Sequence, residues 1–398
     1  MSQKKTGARN QPEAQGRPPE DTGDAGPGGA GAPARDGQAG APARDGQAGA
    51  LAADGWLDTP DRGDGRVYVM ASELDFAVKV ALATGRPLLL RGMPGSGKSS
   101  LAPYIARRLG WRYYVHVVTY RTQPRELLWS FDSVRRLGDA QVAAQRGEPL
   151  DNASYVQPGV LWWALAPESA RRRGRPEGTE VGDPCPDPFE KVNADRSPDH
   201  AVVLIDEIDK ADPDVPNSLL VPLGSHRFVV AEINAEIHTE QAAQGTQATQ
   251  GTQATQATRA AGPGSAPATE STHRARHLVV LTTNEERELP QALLRRCVVH
   301  VLPEHDKDML VRIAKEHMTD WPGEVTDADE ELAEAVAGNL MKVREQADKQ
   351  DVRRPSTAEY LDALLACRSL DIRPGDDEWQ LLTRNVLIKP QQMAGDPT

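Results

Sequence analysis

The segment Gly92-Met-Pro-Gly-Ser-Gly-Lys98-Ser99 fits the spacing G-x-x-x-x-G-K-[ST] without a gap. Glycines at these positions let backbone N–H groups approach phosphate oxygens, and a helix starting directly afterwards adds positive potential. Gly92, Pro94, Gly95, Ser96, Gly97, Lys98, Ser99 and Ser100 are therefore the candidate nucleotide-binding residues. Lys98 would reach the β- and γ-phosphates, and the Ser99 hydroxyl would ligate Mg²⁺. A second segment, Val202-Val-Leu-Ile205-Asp206-Glu207, is four aliphatic residues ending in two acids. Asp206 would hold Mg²⁺ through its shell, and Glu207 would orient and polarise an attacking water. Alone, such a pair is a common strand ending; behind a phosphate loop it becomes that loop's partner.

Two weaker signals follow. Leu278-Val-Val-Leu-Thr-Thr-Asn284 is another apolar run ending in an amide. Asn284 could contact the γ-phosphate or the water, or could simply close a strand–loop turn. Ala292-Leu-Leu-Arg295-Arg296-Cys297 places two arginines before the run VVHVL. They form either a solvated surface or a finger reaching into a neighbouring subunit's phosphate site.

These residues need a scaffold, and the pattern around them supplies one. The stripe Leu74, Ala77, Val78, Ala81, Leu82 predicts a helix over 72–84, stopped by Gly85. A strand over 87–90 leads into the loop, and a helix over 99–109 leaves it, with a kink expected at Pro103. Further strands are predicted at 111–118, 201–205, 277–281 and 298–302. Buried strands alternating with helices imply an α/β fold with a parallel sheet sandwiched by helices. From 306 onward the pattern is helical, at 308–317, 329–337 and 357–366, which predicts a small all-α lid domain.

Composition marks what lies outside the core. Residues 1–50 contain no Val, Leu, Ile, Phe, Tyr or Trp and repeat GAPARDGQA at 31–39 and 40–48. They cannot bury enough apolar surface to offset ordering entropy, so a disordered tail is expected. The stretch 240–270 is equally devoid of large apolar residues and reads as a polar insertion; 171–198 reads as a surface loop. The expected organisation is a tail over 1–55, an α/β domain over 56–303, a helical lid over 304–388 and a tail over 389–398. Of 398 residues, 46 are Lys or Arg and 58 Asp or Glu, a net charge of −12. That balance argues against a broad basic field for nucleic acid. Three dispersed cysteines, Cys185, Cys297 and Cys367, argue against a disulfide framework or thiolate zinc site. The first eleven residues have no apolar stretch and no run approaches the ~20 residues of a membrane span, so a cytoplasmic protein is expected.

The order GMPGSGKS, VVLIDEIDKAD, LTTNEERELP and ALLRRC resembles AAA+ ATPases, most closely the MoxR-like branch, from about Tyr68 to Leu387. Tyr155-Val-Gln-Pro-Gly-Val-Leu-Trp-Trp163 is similar to the segment preceding the acidic strand in that branch. The resemblance implies ATP and Mg²⁺ as ligands, hydrolysis, a homo-oligomeric (hexameric) ring, and a client protein, often one with a von Willebrand A domain. It implies that Asn284 is sensor 1 and Arg296 the arginine finger, with Arg295 a possible substitute. Sensor 2 departs from the branch. There an Arg usually follows a Pro; here Ser356 follows Pro355, while Arg353 and Arg354 precede it. Ser356-Thr-Ala-Glu359 reads as a capping box, and Arg354 is the remaining candidate for the nucleotide. A nucleic-acid-directed motor and a small-molecule kinase are the alternatives. The first is disfavoured by the charge, the second by a water-activating Glu207.

Overall fold

The computed structural model describes residues 64–147, 149–239, 276–350 and 352–388. The expected tails over 1–55 and 389–398, and the insertion over 240–270, lie outside the described residues. Strands are β1 (Leu88–Arg91), β2 (Trp111–Val117), β3 (Trp129–Phe131), β4 (Val156–Pro158), β5 (Ser197–Asp206), β6 (Arg227–Val230), β7 (Ala235–His238), β8 (His277–Thr283) and β9 (Val298–Val301). Five of them form one sheet in the order β2-β5-β8-β1-β9, and every pairing in it is parallel. β3–β4 and β6–β7 are separate antiparallel pairs.

Both faces of the sheet are covered, which is why its strands read as continuous aliphatic runs. Alternation sorts them. Leu89, Val203, Ile205 and Leu281 face a core that includes Trp162 and Trp163. Leu88, Leu90, Val202, Leu204 and Val280 face α1 (Ser72–Thr84) and α2 (Lys98–Leu109), packing with Leu74, Leu101 and Ile105. Helix α2 runs unbroken through Pro103. A Cβ on Gly65 would sit 2.4 Å from the Pro103 carbonyl, so the chain crosses this turn of α2 at backbone contact.

The segment 171–198 is mostly exposed or half-buried, in keeping with a surface loop, but four of its residues turn inward. Cys185, Asp187, Phe189 and Asn193 are buried. The reason is the edge strand β2, whose free backbone groups need partners. The Asn193 side chain accepts from Tyr113 N at 2.8 Å and donates to Tyr113 O at 3.3 Å. Arg196 donates to Trp111 O at 3.0 Å. The segment is therefore an edge cover.

Past β9 the chain is helical: α5 (Lys307–Asp320), α6 (Asp327–Gln350) and α7 (Thr357–Leu370), counted after α3 (Ser133–Arg146) and α4 (Val160–Leu165). Leu310, Met318, Leu332, Val336, Tyr360 and Leu364 form their common core. α6 runs thirteen residues beyond the sequence expectation. Gly338 costs helix stability, but the apolar stripe continues through Leu340, Val343 and Ala347, and tertiary packing decides.

Candidate functional site

Parallel pairing brings the ends of β1, β5 and β8 to one edge of the sheet, where open α/β folds bind ligands. The loop 92–97 leaves β1 there, and its glycines have positive φ at Gly92, Gly95 and Gly97. Each also lies close to something. A Cβ on Gly92 would be 2.9 Å from Leu302 O, and one on Gly95 would be 2.3 Å from the Ser356 hydroxyl. Lys98 opens α2 and is 5% exposed, with Nζ donating to Gly92 O at 2.8 Å and Met93 O at 2.9 Å. Burial lowers its pKa, against the nearby Asp206, Asp209 and Glu207 charges.

Asp206 is the point where three elements meet. Its Oδ1 accepts from Ser99 Oγ at 2.8 Å and from Thr282 Oγ1 at 2.5 Å. Burial raises its pKa, with the two hydroxyls acting against the shift. The Thr282 hydroxyl in turn accepts from Glu207 N at 2.8 Å. Glu207 holds φ +57°, an uncommon conformation for a non-glycine residue, and a short 3₁₀ turn, Ile208–Lys210, follows. Its Oε1 accepts from Asn284 Nδ2 at 2.9 Å, and its Oε2 lies 2.6 Å from Lys210 Nζ. Asp209 Oδ2 accepts from Glu286 N at 2.9 Å.

The residues present fit a triphosphate with a divalent cation. The Ser96 hydroxyl, inside the loop, is buried without a hydrogen-bond partner. Ser99 and Asp206 offer adjacent hard oxygens, the donor type Mg²⁺ takes.

Of the residues singled out from sequence, the structure gathers Lys98, Ser99, Asp206, Glu207 and Asn284. Arg296 stands apart: it is exposed on the turn before β9 and donates to Ala292 O at 3.2 Å. Arg295 is exposed beside it, its carbonyl accepting from Arg86. Arg354 lines a small cleft of about 20 Å³ between the loop and the start of α7, where its guanidinium binds Glu304 at 2.8 Å and also Asp348. Arg353 pairs with Glu359 at 2.8 Å. The capping box at Ser356 forms as its spacing predicted, and Ser356 lies against Gly95. Arg344, unremarked in the sequence, is buried and donates to Pro355 O and His305 O, joining α6 to both ends of that cleft. Thr282, Lys210 and Asp209, which bond to or border this cluster, were not singled out from the sequence. Polar residues ending an apolar strand were the only signal for Thr282.

No curated protein sequence matches the chain. Among solved structures, a point variant of Thermotoga maritima RuvB is 15% identical with a TM-score of 0.35, over 79% of this chain and 67% of its own. An inferred ATPase of Cytophaga hutchinsonii is 11% identical with a TM-score of 0.36, over 82% of this chain and 83% of its own. Scores this low bear on neither substrate nor partner. The family model for the AAA domain, dynein-related subfamily, matches residues 87–297. That span runs from β1 through the phosphate loop, the acidic end of β5 and the amide end of β8 to the Arg295–Arg296 turn, and on it the chain belongs to the AAA ATPase-domain family.

Proposed function

We propose that the chain hydrolyses ATP to ADP and phosphate within a closed ring of like subunits, and uses the cycle to remodel or activate a partner protein, in the manner of the MoxR-like branch. The observation that supports this reading is the meeting of Ser99, Asp206, Glu207 and Asn284 at the adjoining ends of β5 and β8. In the reading, the loop backbone and Lys98 hold the triphosphate, and Ser99 and Asp206 would hold Mg²⁺. When bound, that ion neutralises charge on the phosphate oxygens. Glu207 takes a proton from water as the water oxygen bonds to the γ-phosphorus. The bond to the bridging oxygen breaks, and its electron pair leaves with ADP. Asn284 orients the water or contacts the γ-phosphate. Arg354 exchanges its carboxylate partners for phosphate, and Arg296 completes a neighbour's site.

The client is a protein, and one bearing a von Willebrand A domain fits the resemblance. A cytoplasmic setting suits three free, buried cysteines. No helix among the described residues is long and apolar enough to cross a membrane.

Two substitutions test the chemistry. Lys98→Ala removes the charge that meets the phosphates and lowers ATP affinity at least about tenfold, roughly 1.4 kcal/mol, by calorimetry. Glu207→Gln keeps binding but lowers single-turnover hydrolysis by roughly 10²-fold or more. Near-native turnover in Glu207→Gln, or a phosphorylated small molecule in place of free phosphate, overturns the reading.

A further inference from the structure

The parallel sheet has two edges, and the chain treats them differently. Along β2, Asn193 and Arg196 take up outward backbone groups. Along β9, Val298 N donates to Pro87 O and Leu302 N to Arg91 O, both at 2.8 Å, so residues 298, 300 and 302 face β1. Alternation then turns the N–H and C=O of Val299 and Val301 outward. Among the described residues nothing bonds to them. The strand, Val-Val-His-Val, has no Lys, Pro or bulge to ward off another strand.

Apolar surface flanks this edge on both faces. Val299 and Val301 share the face of Leu89 but lie beyond the core there, 42% and 57% exposed. On the opposite face lies α1. Its Glu73 acts on the His300 charge, and Phe76, about one turn further on, is 68% exposed.

The edge is complementary to itself in one register. Antiparallel pairing about His300 sets Val299 against Val301 of a second copy, and Val301 against its Val299, so every outward donor meets an outward acceptor. Sliding the strands brings in Cys297, whose N–H is already bonded to Leu294 O at 3.2 Å, or Pro303, which has no N–H. Charge agrees. Arg295 and Arg296 precede the strand and Glu304 follows it, so antiparallel pairing sets opposite charges side by side.

We propose that β9 is a contact surface for a second copy of this chain, joined across a two-fold axis by an antiparallel β9–β9 ladder centred on His300. Such a contact is isologous, separate from a head-to-tail ring, and does not rest on the ATPase reading.

The experiment is light scattering on the nucleotide-free full chain over a dilution series, for wild type, Val299→Pro and His300→Cys. A short ladder buries little area, so wild type passes from dimer to monomer on dilution. Val299→Pro removes an outward N–H and leaves the bonds to β1 intact, so it raises the dimer dissociation constant at least about tenfold with an unchanged thermal melt. In His300→Cys the two thiols oppose each other across a non-hydrogen-bonded pair, within disulfide reach, and oxidised glutathione gives a covalent dimer. Wild type gives none, since Cys185, Cys297 and Cys367 are buried. A wild type that is monomeric at every concentration overturns the proposal, as does a dimer that survives Val299→Pro or leaves His300→Cys unlinked. If Val299→Pro melts early, the His300→Cys cross-link decides alone. Val299 and Val301 amides protected from hydrogen exchange in the monomer would show the edge covered from within the chain, and the proposal falls.

Discussion

One hydroxyl organises the acidic end of the site. Thr282 is fully buried, accepts from Glu207 N and donates to Asp206, and so fixes the carboxylate facing Ser99 and the backbone of the residue beside it. Its role was hidden in the sequence because both bonds cross from β8 to β5, more than seventy residues away. Lys98, Ser99, Asp206 and Glu207 were legible because the order of the chain itself displays their spacing. At the opposite end of β8, His277 makes a different use of burial. It is 8% exposed and both ring nitrogens lack partners. Burial, with smaller contributions from His226, Arg112, His200 and Arg276, pushes its pKa down to about 3. The folded form is therefore neutral, whereas the unfolded chain gains a proton below 6.5. This contribution to stability is present above pH 6.5 and is lost as pH falls from there toward 3. Between pH 7 and pH 5 the loss from His277 is about 2 kcal/mol, and His277→Leu removes that part of the acid slope. Denaturant unfolding at the two pH values checks it; an unchanged slope in the variant would show that His277 titrates normally.

At the scale of elements, helix α3 explains why part of the fold was not legible. Its charged residues face the body: Arg135 lies over the Tyr155 ring at 5.5 Å, Arg136 donates to Asn152 at 2.7 Å, and Asp139 accepts from Tyr155 Oη at 2.9 Å. Val134, Leu137 and Val142 face outward, 84%, 64% and 50% exposed. A reading that assigns apolar positions to the core inverts this helix or misses it. The five parallel strands were legible for the opposite reason, being apolar on both faces. The edge cover at Asn193 and the ties from Glu232 to Arg125 and Trp129 were not, since they join distant, polar, non-periodic residues. Two glycines test the packing of this region with one substitution. Gly138 lies within α3 with nothing within 4 Å of a new Cβ, so Gly138→Ala stabilises by about 0.5–1 kcal/mol. Gly159 precedes α4, and its Cβ would meet Glu126 O at 2.4 Å and Leu127 C at 2.6 Å. Those atoms are backbone, held by Gly159 N to Leu128 O and Leu161 N to Leu127 O, so they cannot give way locally. Gly159→Ala therefore destabilises by about 1–3 kcal/mol. Thermal melts that moved in the same direction for both variants would contradict this packing.

At the scale of the whole molecule, the cations gathered at the site among the described residues are all engaged, none free to meet the outer face of a γ-phosphate. Lys98 lies along its own loop, Lys210 is on Glu207, and Arg353 and Arg354 are bound to carboxylates. Arg296 is the reverse case: a guanidinium exposed to solvent, carried on a rigid turn anchored by the buried Leu293 and Cys297, and bonded only locally to Ala292 O. In the proposed ring, a neighbour would present its Arg296 to this site. In other NTPases such a finger is worth 10³–10⁵ in kcat, so its loss is readily measured. An Arg296→Ala chain is expected to bind ATP with unchanged affinity, since its own phosphate loop is intact, yet to hydrolyse it at least roughly 10²-fold more slowly. A Lys98→Ala chain fails for the complementary reason. When the two inactive chains are mixed, some interfaces pair the intact loop of one with the intact Arg296 of the other, and hydrolysis returns to those interfaces. The readout is ATPase activity against mixing ratio, with mass measured by light scattering with and without ATP. Activity that stays at the floor for all ratios, with a monomeric mass that ATP does not change, would place Arg296 outside the catalytic cycle.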